Sequence, residues 1–417
     1  MSGEVTSIIL AGGQGSRLHP LTQSRSKPAV PIGGKFRLID IPISNCLHHG
    51  IRTIWVLTQF ASESLHRHIF QSYRLDSFSG GFVSVLAASQ TTDNKGWYQG
   101  TADAVRKNLA NFRDAGETIL LLSGDHLYRM DFSSFIAFHI QHKADITISV
   151  IPVPRSRVSE FGVLKMDPDY RVKDFVEKPK DGEVIDEYAL PKELRKKSDN
   201  GEVTHVASMG IYLFNKKVLF DALAAHDYDD FGKQIIPAAI NQYRVFGYPF
   251  QGYWEDIGTI RSFFNAHMAM TVRNPSFDFY DSENPIFTNR RYLPAAKISG
   301  SNIDSSIICE GCMIENAKIT DSVIGVRSII RDGSHLSRVI FMGADTYEKD
   351  LENRPRMGIG KNCHIRNAII DKDAHIGDGA VLINKDNLEN AERDGIVIRD
   401  GIIIVPKGVN VPAKYVL

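Results

Sequence analysis

Short apolar runs rich in β-branched residues recur through residues 1–275, at 6–11, 53–58, 82–87, 118–123 and 146–153, and helix-length segments separate them. Strands alternating with helices predict an α/β domain of Rossmann-like type with a mostly parallel, mixed sheet. Between Pro275 and Pro294 the pattern lapses into Asn, Ser, Asp and Pro, which marks a linker over 276–296. Beyond it apolar residues return every five to six positions: Ile303, Ile308, Ile314, Ile319, Ile324, Ile330 and Leu336, then Ile359, Ile365, Ile370, Ile376 and Leu382. Neither the helical nor the strand period gives that spacing. A coil of three short strands per turn, with one apolar corner residue per strand, does give it, so 297–417 is expected to form a left-handed parallel β-helix of hexapeptide repeats. A sandwich of unrelated short strands is the alternative, and the interruption at 342–356 is what speaks for it. A solenoid leaves edges and flat faces exposed, so an oligomer is expected.

Length and composition narrow the classes further. A chain of 417 residues suits two domains, each with its own core. Lys plus Arg and Asp plus Glu both number 49, so no overall field points to nucleic acid or a membrane surface, and any anion must be met locally. No apolar run approaches the 18 residues of a membrane span, and residues 1–5 leave no room for a signal peptide, so a cytoplasmic location is expected. Cys46, Cys309, Cys312 and Cys363 are too few and scattered for a disulfide framework. The CxxC at 309–312 suggests half a zinc site or a redox pair, but no second ligand pair follows it.

Candidate chemistry begins where the first strand ends. GGQGSRL at 12–18 opens a turn in which Gly12, Gly13 and Gly15 let backbone N–H groups approach a phosphate, and Arg17 offers it a fixed cationic fork. This is not a Walker A loop, since its Lys-Ser/Thr pair is missing, and it lacks the third glycine of the dinucleotide fingerprint. Arg25 and Lys27 in RSKPAVP at 25–31, then Lys35 and Arg37 in GGKFRLID at 33–40, add cations on a proline-shaped loop suited to a triphosphate. GDH at 124–126 places Asp125 just past a strand end, where a carboxylate is well placed to hold Mg²⁺ bridging phosphates. WEDIGT at 254–259 sets a second carboxylate, Asp256, beside a glycine turn.

Together, GGxGxRL, KPAVP and GGKFRLIDIPISNC resemble the sugar-nucleotide pyrophosphorylase superfamily and, within it, the ADP-glucose pyrophosphorylases, over nearly the whole chain. The resemblance implies a GT-A-like nucleotidyltransferase domain that transfers AMP from ATP to α-D-glucose 1-phosphate and releases pyrophosphate, for glycogen or starch synthesis. It implies Asp125 and Asp256 as Mg²⁺ ligands, and Arg17 and Lys27 as catalytic cations. Gly12, Gly13, Gly15, Gln59, Gln90 and Gly100 fall to ATP. FVEKP at 175–179 nominates Glu177 for the sugar hydroxyls and Lys178 for its phosphate, and similar stretches nominate Tyr98, Gly162, Ser208 and Asp230 for the same substrate. A primary amide reads uracil or guanine as readily as adenine, so the choice of base rests on the resemblance alone.

The expected reaction is in-line attack by a sugar-phosphate oxygen on the α-phosphorus. The nucleophile is already anionic, so alignment and charge neutralisation suffice, and His126 is read as structural rather than as an acid or base. Three rival readings stand beside this one. A UTP- or dTTP-dependent enzyme would use the same site. An acyltransferase would need a base that the β-helix segment does not offer. A silent regulatory subunit would depart from the motif at Arg17 and Lys27, both present here. The family is commonly regulated by phosphometabolites and assembles as tetramers. In some bacterial members a lysine three residues before Lys27 binds the activator, and Ser24 stands there in this chain. IIDKDAHIG at 369–377 and GIVIRDG at 395–401 resemble plant and cyanobacterial members instead, and nominate Lys372 and Arg399 as effector residues, with arginine in place of the family's second lysine.

Overall fold

The computed structural model describes residues 5–76, 78, 80–88, 96–191, 196–198, 201–348 and 356–417. Its first domain is built on a ten-stranded mixed sheet whose strands include β1 (Val5–Ala11), β2 (Thr53–Thr58), β3 (Phe82–Ala87), β4 (Thr118–Ser123), β5 (Ile146–Pro154), β6 (Gly162–Met166), β7 (Val172–Glu177), β8 (Gly201–Asn215) and β9 (Val245–Pro249). The spatial order β3-β2-β1-β4-β8-β5-β9 is parallel from β3 to β4, and the β6–β7 hairpin joins β8 where Ala207 faces Val163. Strand β8 runs antiparallel to both β4 and β5. Its register shifts between Ser208 and Tyr212, where Gly210 takes φ 67°, and such a bulge re-aims side chains at a site. Ile8 and Ile9 are fully buried on opposite sides of β1, as a central parallel strand covered by helices requires.

The C-terminal segment is a parallel β-helix. Successive rungs stack Ile298 on Ile314, Ile330, Ile359 and Ile376 along one corner, and Ile303, Ile319, Leu336, Ile365 and Leu382 along the next. Ile308, Ile324, Phe341, Ile370 and Val405 complete the third. Most intervals are 16 or 17 residues, three strands of five or six, which is the spacing read from the sequence; they lengthen to 29 across 342–356 and to 35 between Ile370 and Val405. A hairpin of Ala391–Arg393 and Ile396–Arg399 departs from the coil and pairs antiparallel with the coil strand Ile402–Val405. Among the described residues, no helix is long and apolar enough to cross a membrane.

The segment between the helix Ile260–Met270 and the first β-helix strand, Lys297–Ser299, has no helix or strand, but it is tied down. Phe279 stacks on Phe36 at 4.4 Å between ring centroids, and Phe277 and Ile286 are buried. The two domains also share buried polar contacts. Arg25 Nη1 donates to both carboxylate oxygens of Asp371, at 2.9 and 3.0 Å. Within the first domain, His267 Nε2 accepts from the Gly33 amide at 3.2 Å, while its Nδ1 donates to the Phe263 carbonyl. Burial holds the His267 pKa down to about 4, so the ring is the neutral acceptor this loop needs. The GGK turn it anchors lies against the β-helix, where any side chain on Gly34 would meet Cys309 Sγ at 2.6 Å. Cys309 and Cys312 are buried free thiols. Among the described residues neither joins a metal-ligating cluster.

Candidate active site

The glycine loop leaves the C-terminal end of β1, the middle of the parallel strands, and Asp125 leaves the same end of its neighbour β4. Ligands bind at such strand ends in open α/β sheets. The Gly124 amide donates to the Leu10 carbonyl at 3.0 Å, which fixes the second loop against the first. Gly15 takes φ 65° and caps the short helix Ser16–Leu18 that presents Arg17, a conformation glycine supplies without strain. A short antiparallel pair, His126–Tyr128 with Trp254–Asp256, sets Asp256 opposite His126 and so beside Asp125, although the two carboxylates are far apart in sequence.

Asp125, His126 and Asp256 offer ligand atoms that all lie within 4.8 Å of one another. Two carboxylates at that separation fit a divalent cation that takes oxygen ligands and keeps several waters. His126 packs edge-on to Trp254 and has its Nδ1 buried without a hydrogen-bond partner, in keeping with a supporting place beside the acids. Lys27, on the short helix Lys27–Ala29, reaches both acids: Nζ lies 2.7 Å from Asp125 Oδ2 and 2.8 Å from Asp256 Oδ1. Burial works against the ammonium, but Asp125 and Asp256 outweigh it and hold the Lys27 pKa above the usual lysine value. Burial likewise pushes Asp256 upward, yet Lys27, His126 and Arg17 bring its carboxyl down to about 2.

Three adjoining cavities meet here. One is lined by Gly13, Gly15, Arg17, Lys27 and Asp125. A second is lined by Gly12, Gly13, Leu57, Gln59, Phe60, Tyr98 and Gly100, and a third by Gly162, Glu177, Lys178, Ser208, Tyr212 and Asp256. Leu10 borders all three, while Thr101, Ser123 and Asp230 border the second and third. Gly100 and Gly162 are positions of close approach, since a Cβ would stand 2.3 Å from the Asp229 carbonyl oxygen in one case and from the Phe175 ring in the other. Asp230 caps the turn Phe231–Ile235 by accepting from the Lys233 amide. Lys178 holds φ 49°, the left-handed region a lysine rarely adopts, and such strain gathers at binding sites. Its ammonium is half exposed, 3.6 Å from Glu177 Oε1. Burial raises the Glu177 pKa, with Lys178 opposing.

Most residues nominated from the sequence therefore converge. Among the described residues, Tyr98, Lys372 and Arg399 do so differently or not at all. Tyr98 lies on the cavity with Gln59 rather than with Glu177 and Lys178, its hydroxyl accepting from Asn108 at 2.8 Å. Both ends of the Gln59 amide are engaged by the Tyr98 backbone, at 2.6 and 3.3 Å. Gln90 falls outside the described residues. Among the described residues, Lys372 and Arg399 share no hydrogen-bond or ion-pair partner. Lys372 is buried and donates to Asp345 at 2.6 Å, whereas Arg399 donates to the carbonyls of Ala391 and Ile398 in its own hairpin. Residues passed over by the sequence reading include Tyr212, Asp103 and Gly258. Asp103 accepts from the Gln99 amide at 2.8 Å and so shapes the loop before Gly100. The bulge that turns Tyr212 inward has no sequence mark beyond Gly210.

Comparison with known families agrees with this geometry. Residues 6–273 match the nucleotidyl transferase family, and residues 291–416 match the GLGC left-handed parallel beta-helix domain, which gives the coil its hand.

Proposed function

The chain belongs to the nucleotidyl transferase family, and from that premise we propose that it joins the AMP unit of ATP to α-D-glucose 1-phosphate, releasing pyrophosphate and ADP-glucose for α-glucan synthesis. The observation that carries this reading is that the three cavities adjoin at Leu10, with Asp125 bordering the first two and Asp256 the third. A triphosphate in the glycine loop, its nucleoside beside Gln59 and Gly100, and a sugar phosphate beside Glu177 and Lys178 would bring their reacting phosphates to the same two carboxylates. Mg²⁺ held by Asp125 and Asp256 would supply positive charge to the phosphate oxygens. Arg17 and Lys27 neutralise the departing pyrophosphate. Lys178 fixes the sugar phosphate, and Glu177 and Asp230 accept from sugar hydroxyls. No residue need take a proton from a nucleophile that is already anionic, so catalysis rests on alignment and on charge held in place.

Pyrophosphate release with glucose 1-phosphate is expected to be much faster with ATP than with UTP or dTTP, and equal rates would move the reading to a different nucleotide. Lys178→Ala is expected to raise the KM for glucose 1-phosphate about tenfold to a hundredfold, the loss of one charge-assisted contact, with the KM for ATP little changed. Equal effects on both substrates would remove Lys178 from the sugar-phosphate subsite.

Regulation by a phosphorylated effector is the second part of the reading, and the interdomain cations support it. Among the described residues Arg25 Nη2 is buried with no hydrogen-bond partner, and Arg37 and Arg291 lie close enough to Lys372 to help hold its pKa down, to about 8, with burial the larger cause. An anion placed among these groups would meet several donors at once. Arg399 has no comparable support. Lys372→Ala is expected to raise the half-activating concentration of 3-phosphoglycerate or fructose 1,6-bisphosphate about tenfold to a hundredfold, with basal turnover unchanged. Superimposable curves, or a parent protein that answers neither compound, would remove the role. A homotetramer is part of the same reading, supported by the open edge of the first rung and the exposed Ile298 and Met313 beside it, and light scattering measures it.

A further inference from the structure

Lys27 stands where the metal reading puts the cation. Its ammonium contacts one oxygen of each acid at 2.7 and 2.8 Å, and these acids belong to the cluster whose ligand atoms fall within 4.8 Å. A divalent cation bound at about 2.0–2.1 Å from the same oxygens leaves no room for an ammonium between them, and its charge would repel one nearby. The two states exclude each other. Charge is already balanced in the first: Arg17 lies across Gly258 from Asp256, where a Cβ on that glycine would stand 3.2 Å from both Arg17 Nη2 and Asp256 Oδ2. Two cations thus face two carboxylates.

The surroundings also say how Lys27 could leave. Its backbone is pinned. The Ser26 amide donates to the Ala61 carbonyl, Arg25 is held by Asp371, and Pro28 follows. The side-chain stem, in contrast, runs beside the glycine loop, for a Cβ on Gly15 would stand 3.0 Å from Lys27 Cβ. Rotation of four methylenes is enough to carry the ammonium from the carboxylates to a phosphate in that loop.

We propose that Lys27 is the resident cation of the metal seat, and that its ammonium must pass to the phosphates of the nucleotide before a divalent cation settles between Asp125 and Asp256. Nucleotide and metal therefore enter together, in an exchange of ion partners in which neither carboxylate is left alone. This inference rests on the nucleotidyltransferase reading above and adds to Lys27 a role ahead of the chemical step.

Mn²⁺ binding to the full-length protein, read from the electron paramagnetic resonance signal of the free ion, tests it without turnover. The parent protein without nucleotide is expected to bind Mn²⁺ weakly, and Lys27→Met to bind it about tenfold to a hundredfold more tightly, because a competing charge has gone. Lys27→Gln is expected to behave like the Met variant and Lys27→Arg like the parent, so the comparison survives if one variant fails to fold. A non-hydrolysable ATP analogue is expected to tighten Mn²⁺ binding by the parent. Equal affinities for free Mn²⁺ in the parent and in the Met or Gln variant would overturn the proposal. If those affinities differ as expected and the ATP analogue alone has no effect, the lysine still holds the seat and the assignment of ATP is what falls.

Discussion

Asp125→Asn is expected to lower kcat at least about a thousandfold while leaving the folded protein nearly as stable as the parent. The substitution keeps the shape of the side chain and the Gly124–Leu10 hydrogen bond that positions it, so the loop has no reason to move. What it removes is one of two negative charges that hold a divalent cation at the point where phosphate charge develops. An amide oxygen ligates such a cation far more weakly. Stability is spared because Lys27 retains its 2.8 Å contact with Asp256, so the ammonium is not left unpaired. Steady-state turnover by pyrophosphate release, beside a thermal melt, checks both halves. A kcat within about threefold of the parent would remove Asp125 from the reaction.

The parallel half of the first domain was legible because parallel strands are covered on both faces and so read as continuous β-branched runs, as in 6–11 and 118–123. The β-helix was legible for a related reason: each corner needs one apolar residue, and Ile314, Ile319 and Ile324 fall at that spacing on one turn of the coil. Strand β8 was not foreseen. It pairs antiparallel with β4 and β5 and carries a bulge, and nothing in its composition fixes strand direction. The hairpin at 391–399 escaped for the same reason. Within the site, residues on glycine-marked turns were found, since the turn chemistry is written locally. Contacts between distant segments were not: the meeting of Lys27 with Asp256 depends on a two-strand pairing, and the neighbours of Tyr98 depend on which side of Gly100 the loop folds. The sequence showed the Gln59 amide to be capable of reading a base, but not that the Tyr98 backbone engages it.

Asp371→Ala is expected to cost about 3–5 kcal/mol of stability, more than any surface change in this chain should. The carboxylate and its partner Arg25 are almost wholly withdrawn from water, with side chains 2% and 6% exposed, and both of the carboxylate's oxygens accept from the same guanidinium nitrogen. Truncation would leave Arg25 buried beside further cations, Arg37 and Lys407 among them, with no counter-charge of its own. Chemical denaturation measures the loss, and a change under about 1 kcal/mol would show that this pair does not hold the domains together. Replacing both partners separates the cost of an orphaned charge from the worth of the pair: Arg25→Met with Asp371→Leu is expected to recover most of the stability, since neither charge then needs a partner. Recovery of stability without recovery of the KM for ATP would locate the pair's second consequence. Arg25 lies two residues before Lys27, on the loop whose backbone the β-helix holds still, so a stable protein with that loop unpinned should bind the triphosphate poorly even though every residue that touches it is unchanged.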